Sequence, residues 1–179
     1  PIFPLGGGHT DYAGNEPYKV SIYGESANWS MLRAPSGAVG NTITLNDGQE
    51  ATGLYSDGRL RSVHSYSNSC YVPGHGQIIT CTTAHYASAA GYIQKCYAVD
   101  EATGEASVWA DWTSISTTDR GGFEGAACYD PTRGCVWHLG SATSKMLKTL
   151  VSDRTTTGVG VRDNNLNGGG SGGSIRYMP

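Results

Sequence analysis

The sequence predicts an all-β protein of short antiparallel strands. Composition and a repeated strand–turn–strand unit carry that expectation. Glycine is abundant, with 26 of 179 residues, and only 15% of the residues are charged. The aromatic residues are mostly Tyr and Trp, so the chain has the make-up of a turn-rich sheet protein. The repeated unit is clearest from Ser62 to Gln94. There Tyr66 to Val72 alternates and is rich in β-formers, Pro73-Gly74 is a turn pair, and Gln77 to Thr83 is short and β-branched. The pattern returns from Ala126 to His138, around a turn that contains Pro131 and Gly134. Ser174 to Pro179 reads as the first strand of a third copy, and Tyr71, Tyr129 and Tyr177 align.

Each remaining element follows the same grammar. Pro1 to Leu5 reads as the end of a strand running into Gly6-Gly7-Gly8-His9, with a loop from Thr10 to Glu16. Tyr18 to Tyr23 alternates as a strand, Gly24 to Asn28 as a turn, and Trp29 to Leu32 as a short outer strand. In the next copy Ile78 to Ala84 ends at His85, a loop runs to Gly91, and Ile93 to Val99 is a strand. Asp100 to Glu105 is a turn, and the strand after it carries Trp109 and Trp112. In the last complete copy Cys135 to Leu139, Lys145 to Val151 and Thr155 to Val161 are strands. The aligned tyrosines lie about 58 and 48 residues apart, the span of a four-stranded propeller blade plus insertions.

A family resemblance enters at the first copy. Gly6-Gly7-Gly8-His9-Thr10-Asp11-Tyr12-Ala13-Gly14-Asn15-Glu16, followed by Tyr18, Tyr23 and Trp29, resembles a kelch repeat. The resemblance extends over 1–32 and 62–112 and weakens over 122–161, where Trp137-His138-Leu139-Gly140 replaces the diglycine. It implies antiparallel four-stranded blades of a kelch-like β-propeller of the galactose-oxidase type, incomplete in this chain. The expected layout is a partial blade at 1–32, a long inter-blade loop at 33–61, blades at 62–113 and 122–161, and the first strand of a further blade at 174–179. About three blades are accounted for, whereas closed propellers have about four to eight. The expected partners are therefore further blades from the same polypeptide or a second copy. An open sandwich or prism that mimics blade grammar is the remaining alternative.

Function is read from the loops. The segments 33–61 and 164–173 are rich in Gly and turn signals, and long connections of this kind are usually functional or disordered. His9, His85 and His138 each end a second strand, and His64 begins a first one, so the blade grammar places them on one face. His9, Asp11, Tyr12, Tyr55, His64, His85, Tyr86 and His138 are the candidate ligand-binding residues. One histidine per unit at a repeated position argues for each fixing its own loop over a shared metal. No metal-ligand spacing such as His-Glu-x-x-His or Cys-x-x-Cys occurs, and no cofactor is expected. No Gly-x-Ser-x-Gly elbow or spaced carboxylate pair occurs either, so no catalytic residue is named.

These readings favour a non-enzymatic binding or structural module that recognises a glycan or protein partner. Tyr12, Tyr55 and Tyr86 are the loop tyrosines that could stack on a sugar ring. The alternative is a copper radical oxidase-like enzyme, implied only by the family resemblance. The net charge of −3 gives no reason to expect nucleic-acid binding, and no apolar run has the length of a membrane-spanning helix. Gly/Ser/Thr/Asn/Tyr-rich β-structure with few lysines suggests an extracellular, cell-surface or virion setting, and the kelch resemblance implies secreted or phage structural proteins. Asn28-Trp29-Ser30 is a formal glycosylation sequon, but Trp29 is expected to be buried and the site unused.

The chain has five cysteines, an odd number, so at least one is unpaired within it. Folding the Ala126–His138 hairpin about the middle of Asp130-Pro131-Thr132-Arg133 sets Cys128 opposite Cys135. Folding about Ala87 to Ala90 sets Cys81 opposite Cys96. These are the two candidate disulfides, and Cys70, expected opposite Gln77, should be free and buried.

Overall fold

The computed structural model describes residues 15–36, 54–55, 57–60, 68–81, 95–116, 125–140 and 146–160. Over these residues the protein is all-β, with one 3-10 turn at Pro73–His75 and no α-helix. A hairpin pairs β1 (Tyr18–Tyr23) with β2 (Ser26–Met31). A first four-stranded sheet holds β3 (Ser69–Val72), β4 (Gln77–Thr80), β5 (Lys95–Asp100) and β6 (Ala106–Asp111). A second holds β7 (Gly125–Asp130), β8 (Cys135–Gly140), β9 (Met146–Leu150) and β10 (Thr156–Val159). Every pairing is antiparallel, and in both sheets the strands lie side by side in chain order.

Two turns give each sheet its shape. The first is a four-residue connection that begins with proline and ends with glycine: Pro73 to Gly76 in one sheet, Pro131 to Gly134 in the other. Proline presets φ at the start. Gly76 (φ +59°) and Gly134 (φ +57°) close the loop in the left-handed region that a side chain resists. The connection therefore consumes two residues more than the sequence fold-over assumed. Val72 faces Gln77 and Asp130 faces Cys135. Cys128 consequently faces Trp137, and Cys70 faces Ile79. The expected Cys128–Cys135 pairing is thus corrected by a two-residue shift in register.

The second turn also repeats. Asp100 N–H donates to Glu105 O (2.9 Å) and Gly104 N–H to Asp100 O (2.9 Å). In the other sheet Leu150 N–H donates to Thr155 O (2.9 Å) and Arg154 N–H to Leu150 O (3.1 Å). The left-handed residue of these turns is Gly104 (φ +72°) in one and Arg154 (φ +65°) in the other. One further bond ties the two turns of each sheet together. Glu101 N–H donates to Gly76 O (3.0 Å), and Val151 N–H donates to Gly134 O (2.9 Å).

The two sheets share one core. Strand alternation puts Cys70, Val72, Ile79, Cys81, Cys96, Ala98 and Ala110 on one face of the first sheet. Ala127, Tyr129, Val136 and Leu147 share a face of the second, and the two sets join one cluster with Trp109, Trp112 and Val151. The leading strands β3 and β7 lie against each other. Burying each large member of this cluster, Ile79 or Leu147 for example, stabilises the fold by roughly 1.5–3 kcal/mol. The opposite face of the first sheet carries Ile78, Tyr97 and Val99, which pack with Leu60.

Leu60 is held by a small turn in which Leu54 bridges Leu60 and Gly58 N–H donates to Tyr55 O (2.9 Å). Polar ties fasten this turn to the first hairpin. Asn15 Nδ2 donates to Leu60 O (2.7 Å), Ser36 N–H donates to Asn15 Oδ1 (2.9 Å), and Ser36 Oγ donates to Asp57 Oδ2 (2.7 Å). Burial alone would raise the Asp57 carboxyl. The bonds from Ser36 and from the Arg59 N–H and guanidinium outweigh it and hold the group below its ordinary range.

Trp29 departs from expectation: it is 65% exposed. The first hairpin turns through Gly24-Glu25 alone, so β2 begins at Ser26 and all six of its residues are exposed. Trp109, at the matching place in β6, is 5% exposed because the second sheet covers it.

Candidate functional site

The sequence candidates divide sharply. His9, Asp11, Tyr12, His64, His85 and Tyr86 lie outside the described residues. Tyr55 is 6% exposed and sits in the small turn beside Leu60, so its ring is not displayed for stacking on a sugar. His138 is buried in β8, between the sheets, and offers no surface to a ligand.

What surrounds His138 is a polar island in the inter-sheet core. Asn68, just before β3, directs its amide oxygen at His138 Nε2 (3.2 Å). An amide oxygen only accepts, so Nε2 carries the proton. The Trp112 ring lies 5.1 Å from the imidazole, tilted by 34°, and Trp112 Nε1 donates to Thr156 Oγ1 (3.2 Å). Thr156 Oγ1 in turn meets Thr149 Oγ1 at 2.8 Å. Asn68 and Trp112 come from the first sheet, and His138, Thr149 and Thr156 from the second. The island therefore fixes how one sheet sits on the other. Burial pushes His138 down to about 3, so the ring is neutral at ordinary pH. His138 Nδ1 has no hydrogen-bond partner among the described residues. Nothing in the sequence pointed to Asn68; its only signal is a polar residue directly before a strand.

Three of the cysteines, Cys70, Cys81 and Cys96, belong to the same inter-sheet core. All five are free thiols. Cys81 and Cys96 are fully buried; burial pushes the Cys96 thiol well above its ordinary range, and the neighbouring Cys81 adds to the rise. Burial raises the Cys70 thiol well above its ordinary range, and the neighbouring Cys81 and Cys128 add to the rise. Cys135 is buried on the opposite side of the second sheet, across from Asp130. Among the described residues no three His, Cys, Asp or Glu side chains are grouped to hold a metal ion.

The outward chemistry lies elsewhere. Tyr18, Val20, Ile22, Ala27, Trp29 and Met31 share one face of the first hairpin, by register. Ile22, Trp29 and Met31 are 56%, 65% and 51% exposed. Tyr18 meets Trp29 edge to face, with ring centroids 6.4 Å apart at 76°. Such a face, with a propped indole, is built to meet an apolar surface or the flat side of a sugar ring. The sequence contained this signal, because Trp29 stands beyond a short turn, but the assumption that it was buried hid it. At the turn end of the first sheet, Tyr71 OH donates to Glu101 Oε2 (2.7 Å), an exposed bond that fastens this tyrosine to the outer turn.

Among the described residues no helix is long and apolar enough to cross a membrane. No protein-family model matches the chain, and no curated protein matches it.

Proposed function

We propose that the chain is part of a kelch-like β-propeller that serves as a non-enzymatic binding or structural module on a secreted, cell-surface or virion protein. Its partner is a glycan or a protein surface. The observation that carries the binding reading is the exposed face of Ile22, Trp29 and Met31 with Tyr18 propping the indole. The propeller reading is supported by the second sheet, which repeats the first turn for turn and packs against it through its leading strand.

A glycan array probed with the whole chain and with Trp29→Ala tests the binding reading. Binding that falls by about two- to tenfold in the variant supports a sugar-stacking role, since an aromatic contact of this kind contributes roughly 0.5–1.5 kcal/mol. Binding that is equal in both proteins removes Trp29 from the site. Copper-dependent oxidation of primary alcohols by the purified chain would instead favour the oxidase alternative.

A further inference from the structure

We propose that Cys81 and Cys96 are a disulfide pair, closed by a small-molecule disulfide such as oxidised glutathione, and that the bond ties β4 to β5. The register carries this inference. Thr80 faces Tyr97, and one step further along the two antiparallel strands sets Cys81 against Cys96. Cys81 N–H donates to Asn68 O (2.8 Å), so the backbone polar groups of Cys81 turn toward β3. In an antiparallel strand the N–H and C=O of one residue point to the same neighbour. Toward β5, Cys81 therefore occupies the narrow, non-hydrogen-bonded kind of site, where facing Cα atoms are about 4.5 Å apart. That lies within the roughly 4.4–6.8 Å a disulfide spans. Both side chains are on the core face, and the Cys81 thiol is close enough to Cys96 to add to the rise that burial imposes on it.

The other thiols lack this geometry. Cys70 faces Ile79, Cys128 faces Trp137 and Cys135 faces Asp130. The second sheet shows that the position does not demand thiols. There the matching pair is Leu139 and Met146, set opposite each other by the same register.

The chemistry balances as two exchange steps. A thiolate of the pair attacks the small disulfide, forms a mixed disulfide and expels one small thiolate. The second protein thiolate attacks the protein sulfur of that mixed disulfide and expels the other. The protein loses two electrons and two protons, and the small disulfide becomes two thiols. Burial, with the neighbouring Cys81 thiol, holds the Cys96 thiol well above its ordinary range. Attack therefore belongs to the opening or folding chain, and the closed sheet protects the bond once made. The bridge pins both ends of the segment 82–95, in which the sequence places His85 and Tyr86.

The experiment uses the whole chain, refolded in a glutathione buffer, blocked with an alkylating reagent and digested with trypsin without reduction. Cleavage at Arg61, Lys95 and Arg120 separates the two cysteines onto peptides 62–95 and 96–120. The expected result is the loss of two thiols and a linked pair of these peptides, which persists in Cys70→Ser and disappears in Cys81→Ser. Oxidised protein should also resist urea, by about a hundredfold in the unfolding equilibrium constant relative to the reduced form. Five alkylated thiols after refolding, or a link that vanishes in Cys70→Ser or runs to the Cys128 or Cys135 peptide, overturns the proposal. The wild-type and Cys70→Ser maps decide the matter even if Cys81→Ser does not fold.

Discussion

The two four-stranded sheets are built on one backbone plan but fastened by different chemistry. In the first, Val72 occupies the end of the leading strand; in the second the matching residue is Asp130, which accepts from Arg133 N–H (3.0 Å), Arg133 Nη1 (2.8 Å) and Trp137 Nε1 (3.2 Å). In the first, Gly104 fills the left-handed turn position and lets Pro17, Leu32 and Arg33 approach closely. In the second, Arg154 fills it, bonds to Val151 O, and lays its guanidinium 4.9 Å from the centre of the Trp109 ring. The same turn therefore either admits a neighbour by giving up its side chain or reaches for a neighbour by keeping one. Backbone geometry is the repeated quantity here, and side-chain identity follows from what each turn meets.

Breaking the contact between the sheets should have the largest effect. Trp112 is fully buried and touches both His138 and Thr156, so Trp112→Ala should cost about 4 kcal/mol in urea unfolding. A cost under about 1 kcal/mol would show that the island does not join the sheets.

Gly104→Ala comes next. A methyl there would lie 2.8 Å from Pro17 Cγ and 3.0 Å from Leu32 Cβ, at a φ that side chains resist. Strain and crowding together should cost about 2–3 kcal/mol. The reverse exchange sharpens the comparison. Arg154→Gly releases left-handed strain and loses the ring contact, terms of similar size, so stability should change by less than about 1 kcal/mol.

A pH series tests the island in another way. The folded His138 titrates at about 3 and the unfolded residue near 6.5. Between those values the unfolded chain binds the extra proton, so stability falls as pH drops through that window, by up to about 1.4 kcal/mol per pH unit. His138→Gln should flatten this slope between pH 6 and 4.5. Hydrogen bonds and the charge of Arg133 hold the Asp130 carboxyl low, so its contribution is lost only below the ordinary carboxylate range. An unchanged slope in the variant would assign the acid sensitivity to other groups. The smallest effect expected is on stability in Trp29→Ala, within about 0.5 kcal/mol, because the side chain is mostly exposed.

Much of this plan was legible in the sequence. Pro73-Gly74 and Pro131 with Gly134 announced the hairpins, alternation gave the strands, and Asp100 to Glu105 gave the outer turn. The register of the two hairpins that turn from proline to glycine was not legible, because Gly76 and Gly134 only declare themselves as loop-closing residues through their left-handed φ. That step of two residues is what moved Cys128 away from Cys135. Arg154 was equally hidden, since nothing in its identity announces a conformation favoured by glycine. The His138–Asn68 contact joins residues 70 apart in the chain, beyond the reach of any local pattern. Trp29 departs from the repeat because a repeat predicts what a position does in the average copy, and among the described residues no sheet covers β2 as the second sheet covers β6.

Pairing in strict chain order has a consequence for how the molecule comes into being. Each strand finds its partner in the segment just synthesised, so little loop entropy opposes any single step. A ribosome extruding this chain can complete the first sheet as soon as Asp111 has cleared the exit tunnel. That sheet then presents an apolar face with Ile79, Ala98 and Ala110 already in place, a template on which β7 to β10 condense as they emerge. Stalled nascent chains ending beyond Asp111 and beyond Val159 should therefore gain protease resistance in two increments.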